Sequence, residues 1–427
     1  MPDETFAHSR RRFLQGLSGV AGLYGVAAAA PWLGPALAAG RGDGSRVRIG
    51  LIGVGDRGRA LLANLQQSRN CRVVAVCDDY PPNLAHARKL AGRDVLAGDD
   101  YRRLLDARDL DAVVIATPLT AHARMTIDAL DAGLHVFCEK SMARTVDDCA
   151  AMVRKARDSG RILQIGHQRM FKPTYLDALA RIRAGEIGRP VQMRAYWHRN
   201  DSWRRPVPPG SGLERRINWR LYRALSAGLM TELASHQVQV GNWFFDAVPT
   251  RVMGSGSISY WRDGREVYDH VALVYEYDDG RKLVYDSLIS NRRHGLEEQV
   301  MGEKGTIEAE RGRLYPETAA TPVPALQRMV EEVESGVKRQ VPIGGASWAP
   351  ELAREDAGIS LGEGEYDETL LQLEGFGEAV KAGRPLPGLL REGYHASVAV
   401  LLGEQAMDRR VAVDWPAALT LPKSFGA

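Results

Sequence analysis

The sequence predicts an α/β fold, in which an N-terminal doubly wound parallel sheet is followed by an α+β domain with an open, mostly antiparallel sheet. Buried apolar runs alternate with helical patterns up to residue 166, and a series of alternating apolar and polar runs follows. A glycine-rich turn after the first apolar run is the third observation that favours this class. With 427 residues, 44% of them hydrophobic, the chain is long enough for about two domains.

The glycine-rich turn predicts a dinucleotide-binding βαβ unit. An apolar run at 47–52 leads into Gly53, Gly55 and Gly58, an amphipathic segment follows, and a second apolar run covers 73–76. The first glycine permits the tight turn, the second lets the backbone approach a pyrophosphate, and the third lets helix and strand pack closely. The start of the helix presents free N–H groups and a partial positive charge to the phosphates. These features indicate a Rossmann domain.

Asp78 ends the second apolar run about 20 residues after the last glycine, where the acid of a dinucleotide site is expected. Its carboxylate can accept from both hydroxyls of an adenosine ribose and would repel a 2′-phosphate, so the sequence favours NAD over NADP. Asp56 and Arg57, inside the glycine motif, are further candidates for cofactor binding. A glycine turn in an unrelated α/β sheet is the alternative, and the order of strand, helix and acid disfavours it.

Two later strands of the first domain also end in residues that suit a ligand site. The candidates at and just after these ends are Thr117, Pro118, His122, Glu139 and Lys140. Ligands of open α/β sheets bind outside the carboxyl ends of the strands, so we expect these residues to face the same crevice as the glycine turn. A further helix and strand complete a first domain over residues 46–166.

The rest of the chain predicts a substrate and oligomerisation domain at 167–315, an extended arm or insertion at 316–366, and C-terminal helices at 367–427 that pack back on the first domain. Helical patterns cover 175–184, 227–245, 367–382 and 392–407, and extended runs cover 190–198, 251–261, 271–277, 282–289, 299–301 and 306–308. The stretch at 201–212, rich in Trp, Arg and Pro, is predicted to form a loop over the crevice.

Composition and charge disfavour several functions. The formal net charge is only +3, with no basic field for nucleic acid. The four cysteines have no CxxC or metal-ligand spacing, so no metal site is predicted and the thiols are interpreted as core residues. After residue 39, no apolar run reaches the length of a membrane span.

Residues 1–39 resemble a twin-arginine export signal. The motif SRRRFLQ at 9–15 precedes a weakly apolar stretch at 16–30, and small residues supply a cleavage site near Ala38 or Ala39. A basic N-terminus without an export role is the alternative, which the agreement of the three features disfavours. The export machinery of this pathway carries folded proteins, so we expect a periplasmic or secreted protein that is loaded with NAD before transport.

Together these motifs resemble the Gfo/Idh/MocA oxidoreductases, a family that includes inositol dehydrogenases and glucose-fructose oxidoreductase. The resemblance rests on the glycine turn, the Ala-Thr-Pro motif at 116–118 followed by His122, and the Glu139-Lys140 strand end, and it continues through 166–169 and 228–236. It covers nearly all of the chain after residue 39. The resemblance implies that the open face of the second sheet makes a homo-oligomer contact.

Hydride transfer from a secondary alcohol needs a group that takes the hydroxyl proton and a donor that polarises the oxygen. The resemblance assigns polarisation to Lys140, and a buried lysine with a lowered pKa can also share the proton. It assigns acid and base chemistry to His236 and a substrate contact to Glu232, where the family has Asp. Glu232 and His236 lie on one face of a predicted helix. Without the family resemblance, such a pair more often indicates a solvent-exposed helix surface than a functional site. Ser141 replaces the usual proline of the family, which removes a fixed φ beside Lys140.

The second domain adds further candidates at the crevice. His167, Gln168 and Arg169 begin this domain and are predicted to contact the cofactor or the substrate. Side chains that could stack on a sugar or donate hydrogen bonds to it are Trp197, His198, Trp203, Arg204 and Trp219. Aromatic residues are also ordinary core residues, so both interpretations stay open for them.

The sequence predicts an NAD(P)-dependent oxidoreductase that moves a hydride between a sugar or polyol hydroxyl and a tightly held cofactor. Export raises a difficulty, because no free NAD is expected outside the cytoplasm to replace the reduced cofactor. The alternative is therefore a redox-neutral glycoside hydrolase or epimerase that oxidises and then reduces its sugar with one bound NAD. Both reactions use Lys140 and His236, so the sequence leaves both open. A sugar-binding protein without activity is a third class, which the complete glycine, Asp78 and Lys140 set disfavours.

Overall fold

The computed structural model describes most of the chain after the proposed export signal. The described residues are 46–107, 109–317, 332, 334–336, 358–362, 364 and 366–425. The predicted signal at 1–39 and most of the predicted arm at 316–366 lie outside them.

The N-terminal domain contains a six-stranded parallel sheet. Its strands are β1 (Val47–Ile52), β2 (Cys71–Cys77), β3 (Leu96–Gly98), β4 (Ala112–Ile115), β5 (His135–Cys138) and β6 (Leu163–Ile165). They pair in the order β3-β2-β1-β4-β5-β6. The chain reverses its direction of winding between β1 and β4, and a ligand crevice is expected at that point. The predicted doubly wound sheet is confirmed.

Five helices flank this sheet. They are α1 (Asp56–Gln67), α2 (Pro81–Ala91), α3 (Tyr101–Leu105), α4 (His122–Asp131) and α5 (Val146–Ser159). The Thr145 side chain caps α5 by accepting from the Asp148 amide, and Gly160 ends it in the left-handed region. In α1, buried Leu61, Leu62 and Leu65 face the sheet. All four residues of β4 are buried, as expected for a central parallel strand.

The second domain is built on a nine-stranded, mostly antiparallel sheet. The strands are β7 (Pro190–His198), β8 (Arg251–Ser257), β9 (His270–Glu276), β10 (Lys282–Leu288), β11 (Leu296–Gly302), β12 (Gly305–Glu308), β13 (Arg313–Pro316), β14 (Ile359–Ser360) and β15 (Val413–Asp414). Their order is β14-β13-β12-β11-β7-β10-β9-β8-β15, and only β7 and β10 are parallel among the described pairs. The described part of the predicted arm thus contributes β14 to one edge.

The helices of this part of the chain lie on the second sheet, in the segment after β7, or on the first domain. They are α6 (Pro173–Arg183), α7 (Glu214–Ile217), α8 (Ser235–Phe245), α9 (Glu368–Ala382) and α10 (Leu389–Arg409). A Cβ on Gly241 of α8 would lie 2.9 Å from Leu283 of β10, which shows how closely helix and sheet pack. On the opposite face of the sheet Arg194 is exposed. The predicted oligomer contact through this face stays a prediction.

The C-terminal helices differ in what they pack against. The helix α9 lies on the first domain, where the Leu373 carbonyl accepts from the Cys71 thiol. The helix α10 contacts both domains, since the Ser397 hydroxyl accepts from the Met142 amide and a Cβ on Gly403 would lie 2.6 Å from the Tyr275 hydroxyl oxygen. It therefore holds the two domains together at the base of the crevice.

The helix predicted at 227–245 is not regular at its start. Gly228 has a φ of +55°, and a π-helical turn at Met230–Ala234 precedes α8. The Thr231 hydroxyl lies 3.2 Å from the Ala227 amide and accepts from it, which satisfies a backbone N–H that precedes the helix. Such widened turns occur often at functional sites. None of the described helices is long and apolar enough to cross a membrane.

Candidate active site

The glycine turn forms the wall of the crevice at the carboxyl end of β1. Gly53 has a φ of +86°, and its Cβ would lie 2.7 Å from the Ala116 carbonyl. A Cβ on Gly58 would lie only 2.0 Å from the Gly53 carbonyl oxygen. A Cβ on Gly55 would meet nothing nearer than Asn83, at 3.8 Å. Gly53 and Gly58 are thus required by the packing of the turn, whereas Gly55 leaves open space for a ligand.

Asp78 has a structural contact in addition to the predicted ligand contact. The carboxyl accepts from the Val54 amide at 2.8 Å, and its other oxygen accepts from the Tyr80 amide at 2.8 Å. The Asn83 side-chain amide also donates to this carboxyl, at 3.3 Å. A carboxylate has about four acceptor positions, so about one remains for a ribose hydroxyl. Asp78 therefore holds the glycine turn in place and can also bind a dinucleotide.

Asp56 and Arg57, predicted to bind the cofactor, both pair with protein groups. Arg57 Nε lies 2.7 Å from Glu139 Oε1, which ties α1 to the end of β5. Asp56 forms ion pairs with Arg59 and Arg205. Glu139 is 5% exposed and also accepts from the Lys140 amide. Arg57 and Glu139 therefore help to hold the end of β5, next to Lys140, in position.

His122 braces two strand ends, and its predicted contact with the cofactor stays a prediction. The ring is buried, with Nδ1 at 3.0 Å from the Ser141 carbonyl and Nε2 at 3.0 Å from the Thr117 carbonyl. Burial lowers the pKa of His122, despite the two carbonyls. Both ring nitrogens therefore face the protein.

Lys140 reaches from the first domain into the π-helical turn of the second. Its Nζ donates to the Glu232 carbonyl at 2.8 Å and to the Thr231 carbonyl at 3.3 Å. The widened turn makes these carbonyls available, because regular helical bonding would use them. Burial lowers the pKa of Lys140, although Glu232 and Glu139 oppose this shift. An amine with a lowered pKa can donate a hydrogen bond to a substrate oxygen and can also share the proton of a substrate hydroxyl.

Ser141, at the position of the family's proline, is held in place by two hydrogen bonds. Its hydroxyl donates to the Thr231 carbonyl at 2.9 Å, and its carbonyl faces His122. The residue is 1% exposed, and the bond between Lys140 and Ser141 is cis. These contacts constrain Ser141, and the effect of replacing the family's proline on the positioning of Lys140 stays a prediction.

Glu232 and His236 both lie in the interior beside Lys140. Arg220 Nε lies 2.7 Å from Glu232 Oε2. Burial alone would raise the pKa of Glu232, but Arg220 and Lys140 outweigh it and hold the pKa below its usual value. Burial, with Lys140 and Arg169 nearby, holds the pKa of His236 well below 6.5. At neutral pH the site therefore contains a carboxylate and a neutral imidazole that can accept a proton.

Several buried polar atoms at the strand ends have no hydrogen-bond partner among the described residues. They are Thr117 Oγ1, both ring nitrogens of His167, and Gln168 Oε1. Burial, then Lys140 and Arg169, lower the pKa of His167 to about 3. Leaving such a group unpaired costs about 1–3 kcal/mol, so these atoms are the expected contacts of a ligand. Together with the open space at Gly55, they fit a dinucleotide in the crevice.

The candidate sugar-binding residues separate into two groups. The Trp197 ring lies 5.6 Å from the His236 ring, which places it in the site. The neighbouring residue in β7, His198, faces the other side of the sheet and pairs with Asp286. Arg204 is used in ion pairs with Glu214 and Asp263.

One supporting residue, Arg220, was not predicted from the sequence, and another, Arg169, was predicted only as a contact of the cofactor or the substrate. Arg220 neutralises Glu232, and Trp219 lies under its guanidinium at 4.4 Å. Arg169 is 5% exposed, pairs with Glu298 at 2.6 Å and lies over the Trp197 ring. The sequence contains many arginines after residue 200. Its pattern does not indicate which carboxylate each arginine pairs with.

This fold and this arrangement of groups define an oxidoreductase that uses a dinucleotide. Comparison with known families agrees. The model of the oxidoreductase family's NAD-binding Rossmann fold matches residues 47–167, and that of the GFO/IDH/MocA C-terminal domain matches residues 175–308. The chain belongs to the Gfo/Idh/MocA family, which confirms the resemblance inferred from the motifs.

Curated relatives and solved structures resemble the chain over most of its length. The scyllo-inositol 2-dehydrogenase (NAD(+)) of Bacillus subtilis is 29% identical over 61% of this chain and 73% of that protein. The inositol 2-dehydrogenase of Salmonella paratyphi B is 32% identical over the same shares. A levoglucosan dehydrogenase in complex with NADH and L-sorbose covers 87% of this chain and 100% of its own, at 20% identity and a TM-score of 0.67. The aldose-aldose oxidoreductase of Caulobacter crescentus, with equal identity and coverage, has a TM-score of 0.66.

The protein is an NAD-dependent oxidoreductase of the Gfo/Idh/MocA type, as predicted. When bound, NAD supplies the acceptor for a substrate hydride. The residues that would hold it are the glycine turn, Asp78, Thr117 and Gln168. The individual roles of these side chains stay predictions.

Two glycine variants separate folding from cofactor binding. We expect Gly58→Ala to lower the free energy of unfolding by about 1–3 kcal/mol, because its Cβ would overlap the Gly53 carbonyl. We expect Gly55→Ala to fold with a stability within about 0.5 kcal/mol of the unaltered protein but to lose NAD affinity, since its Cβ fills only the ligand space. Denaturant unfolding and calorimetric NAD titration measure the two effects. Equal stability losses in both variants would contradict this assignment.

Proposed function

We propose that the protein transfers a hydride between a secondary hydroxyl of a sugar or polyol and a tightly held NAD. The observation that carries this proposal is the position of two weakly basic groups, Lys140 and His236, in one buried crevice that opens at the glycine turn. The names of the relatives, which include dehydrogenases of inositols and levoglucosan, support a polyhydroxylated substrate.

The side chains suit distinct roles in this reaction. Lys140 would donate to the reacting oxygen, and its lowered pKa favours sharing of the hydroxyl proton. His236 would accept that proton as a neutral imidazole. Glu232, fixed by Arg220, keeps a negative charge beside the ammonium and so offsets part of the cost of burying it. Trp197 would present an apolar ring surface to the carbon skeleton of the substrate.

A redox-neutral reaction is the second candidate, and the export motif at residues 9–15 favours it. An exported enzyme without access to free NAD would need to regenerate its cofactor on each turnover. Oxidation and later reduction of the same sugar would achieve this. A glycoside hydrolase or an epimerase with the same site would meet the requirement.

The nature of the bound molecule and the fate of the hydride test both candidates. We expect mass spectrometry of denatured, purified protein to detect NAD without a 2′-phosphate. Incubation of the loaded protein with myo-inositol, levoglucosan and aryl glycosides then separates the reactions, because accumulation of NADH indicates a dehydrogenase and release of phenol without net NADH indicates a hydrolase. A protein that contains no NAD and cannot bind it would exclude both.

A lysine variant tests the role of the buried amine. We expect Lys140→Met to lower kcat by about 10²- to 10⁴-fold while NAD stays bound. Lys381→Met is the matched control, since Lys381 pairs with Glu378 and Asn70 away from the crevice and its loss should leave kcat unchanged. An undiminished rate in Lys140→Met would exclude a catalytic role for this residue.

We further propose that the twin-arginine pathway exports the protein to the periplasm or the medium and that the mature chain forms a homo-oligomer through the open face of the second sheet. The motif at 9–15 supports export, and the exposed Arg194 face supports the contact. We expect replacement of the arginines at 10–12 by lysine to keep the protein in the cytoplasm, as measured by cell fractionation. Unchanged export in that variant would contradict the pathway, and a monomer in analytical ultracentrifugation would contradict the oligomer.

A further inference from the structure

The segment 201–222 connects to three separate parts of the crevice through arginines. It follows β7 and ends before the π-helical turn. Arg205 forms an ion pair with Asp56, the first residue of α1. Arg216 Nη2 lies 2.5 Å from Asp79, which follows the ribose-binding candidate Asp78. Arg220 pairs with Glu232 at the catalytic end.

Internal hydrogen bonds hold this segment in shape. Asn218, 2% exposed, accepts from the Arg205 amide at 2.7 Å and donates to the Arg205 carbonyl at 3.0 Å. Glu214 accepts from the Tyr222 hydroxyl at 2.8 Å and from Asn218 at 3.0 Å, and it also pairs with Arg204. The arginine side chains therefore start from a fixed backbone and not from a loose loop.

The contacts place the segment across the opening of the crevice. Asp56 lies inside the glycine motif after β1, and Asp79 follows β2, the strand that pairs with β1 in the first domain. The Arg216 guanidinium also lies over the Tyr80 ring, 5.2 Å from its centre. A dinucleotide that contacts both the glycine turn and Asp78 would therefore lie beneath the segment.

We infer that the segment 201–222 is a clasp that retains the cofactor between turnovers, and that the Arg205–Asp56 and Arg216–Asp79 ion pairs are its two latches. This inference rests on the proposed function, because it requires NAD in the crevice. It explains how a protein that is loaded once could keep its cofactor through many reactions.

Each latch contributes separately to slow release. Arg205 and Asp56 are about half exposed, and Asp79 is largely exposed, so each pair alone contributes little. Both pairs hold the clasp to the first domain, and release of the dinucleotide requires both to break, so their effects combine. Exposed pairs are also screened by salt, with a Debye length of about 8 Å at physiological ionic strength. Retention should therefore weaken as salt is added.

The rate at which bound NAD exchanges with isotopically labelled NAD tests the clasp. We expect Arg205→Gln and Arg216→Gln each to speed the release of NAD about two- to fivefold, and the double variant to speed it by about the product. Added sodium chloride should speed release from the unaltered protein and have less effect on the double variant. Arg251→Gln is the matched control, since Arg251 pairs with Asp414 on the surface of the second domain, and its release rate should not change.

The partner of one latch provides a second test that does not depend on activity. Asp79→Asn should speed NAD release as much as Arg216→Gln does, and the combination of both changes should add nothing further. Unfolding temperatures of the variants within a few degrees of the unaltered protein would show that the fold is intact. Release rates that equal the control in all latch variants, or that do not respond to salt, would overturn the inference of a clasp. They would leave the proposed function standing. Absence of NAD from every preparation would overturn the proposed function as well.

Discussion

The structure depends on the burial of the Lys140 ammonium at the contact between the two domains. Placing a charge in the interior is costly unless hydrogen bonds and an opposite charge compensate for it. The π-helical turn supplies two carbonyls, and Glu232 supplies the opposite charge. The same burial lowers the pKa of the amine, so one arrangement both joins the domains and prepares the group for chemistry.

The surrounding charges support this arrangement by pairing with each other. Arg57 holds Glu139 behind the strand end, and Arg220 holds Glu232 beside the lysine. His122 and the Ser141 hydroxyl fix the backbone next to Lys140. Thr117 Oγ1 and Gln168 Oε1 stay without a hydrogen-bond partner among the described residues, as do buried polar atoms elsewhere in the fold. Such an atom indicates a ligand contact only where it also lies at the crevice.

Local features of the fold could be predicted from the sequence, and long-range side-chain contacts could not. The glycine turn and the ends of β4 and β5 depend on residues close in sequence, and the periodicity of apolar residues shows them directly. The side of β7 that His198 faces follows from the alternation of a strand only once its register is known. The π-helical turn was predicted as part of a regular helix, because Thr231 and Gly228 act through backbone geometry that no apolar pattern records. His122 illustrates the same limit, since its two carbonyl partners come from different strand ends.

The central claim is that burial lowers the pKa of both groups in the working enzyme, so that His236 stays a neutral base and the Lys140 ammonium is a stronger acid than an exposed lysine. The most direct test is the pH dependence of a single turnover, in which bound NAD is reduced by the preferred substrate and followed by the nicotinamide absorbance. Because the pKa of His236 lies well below 6.5, the base is still unprotonated at that pH, and the account predicts that the rate stays constant through pH 6.5 and falls only in more acidic solution. A rate that falls with a midpoint at or above pH 6.5 would contradict it.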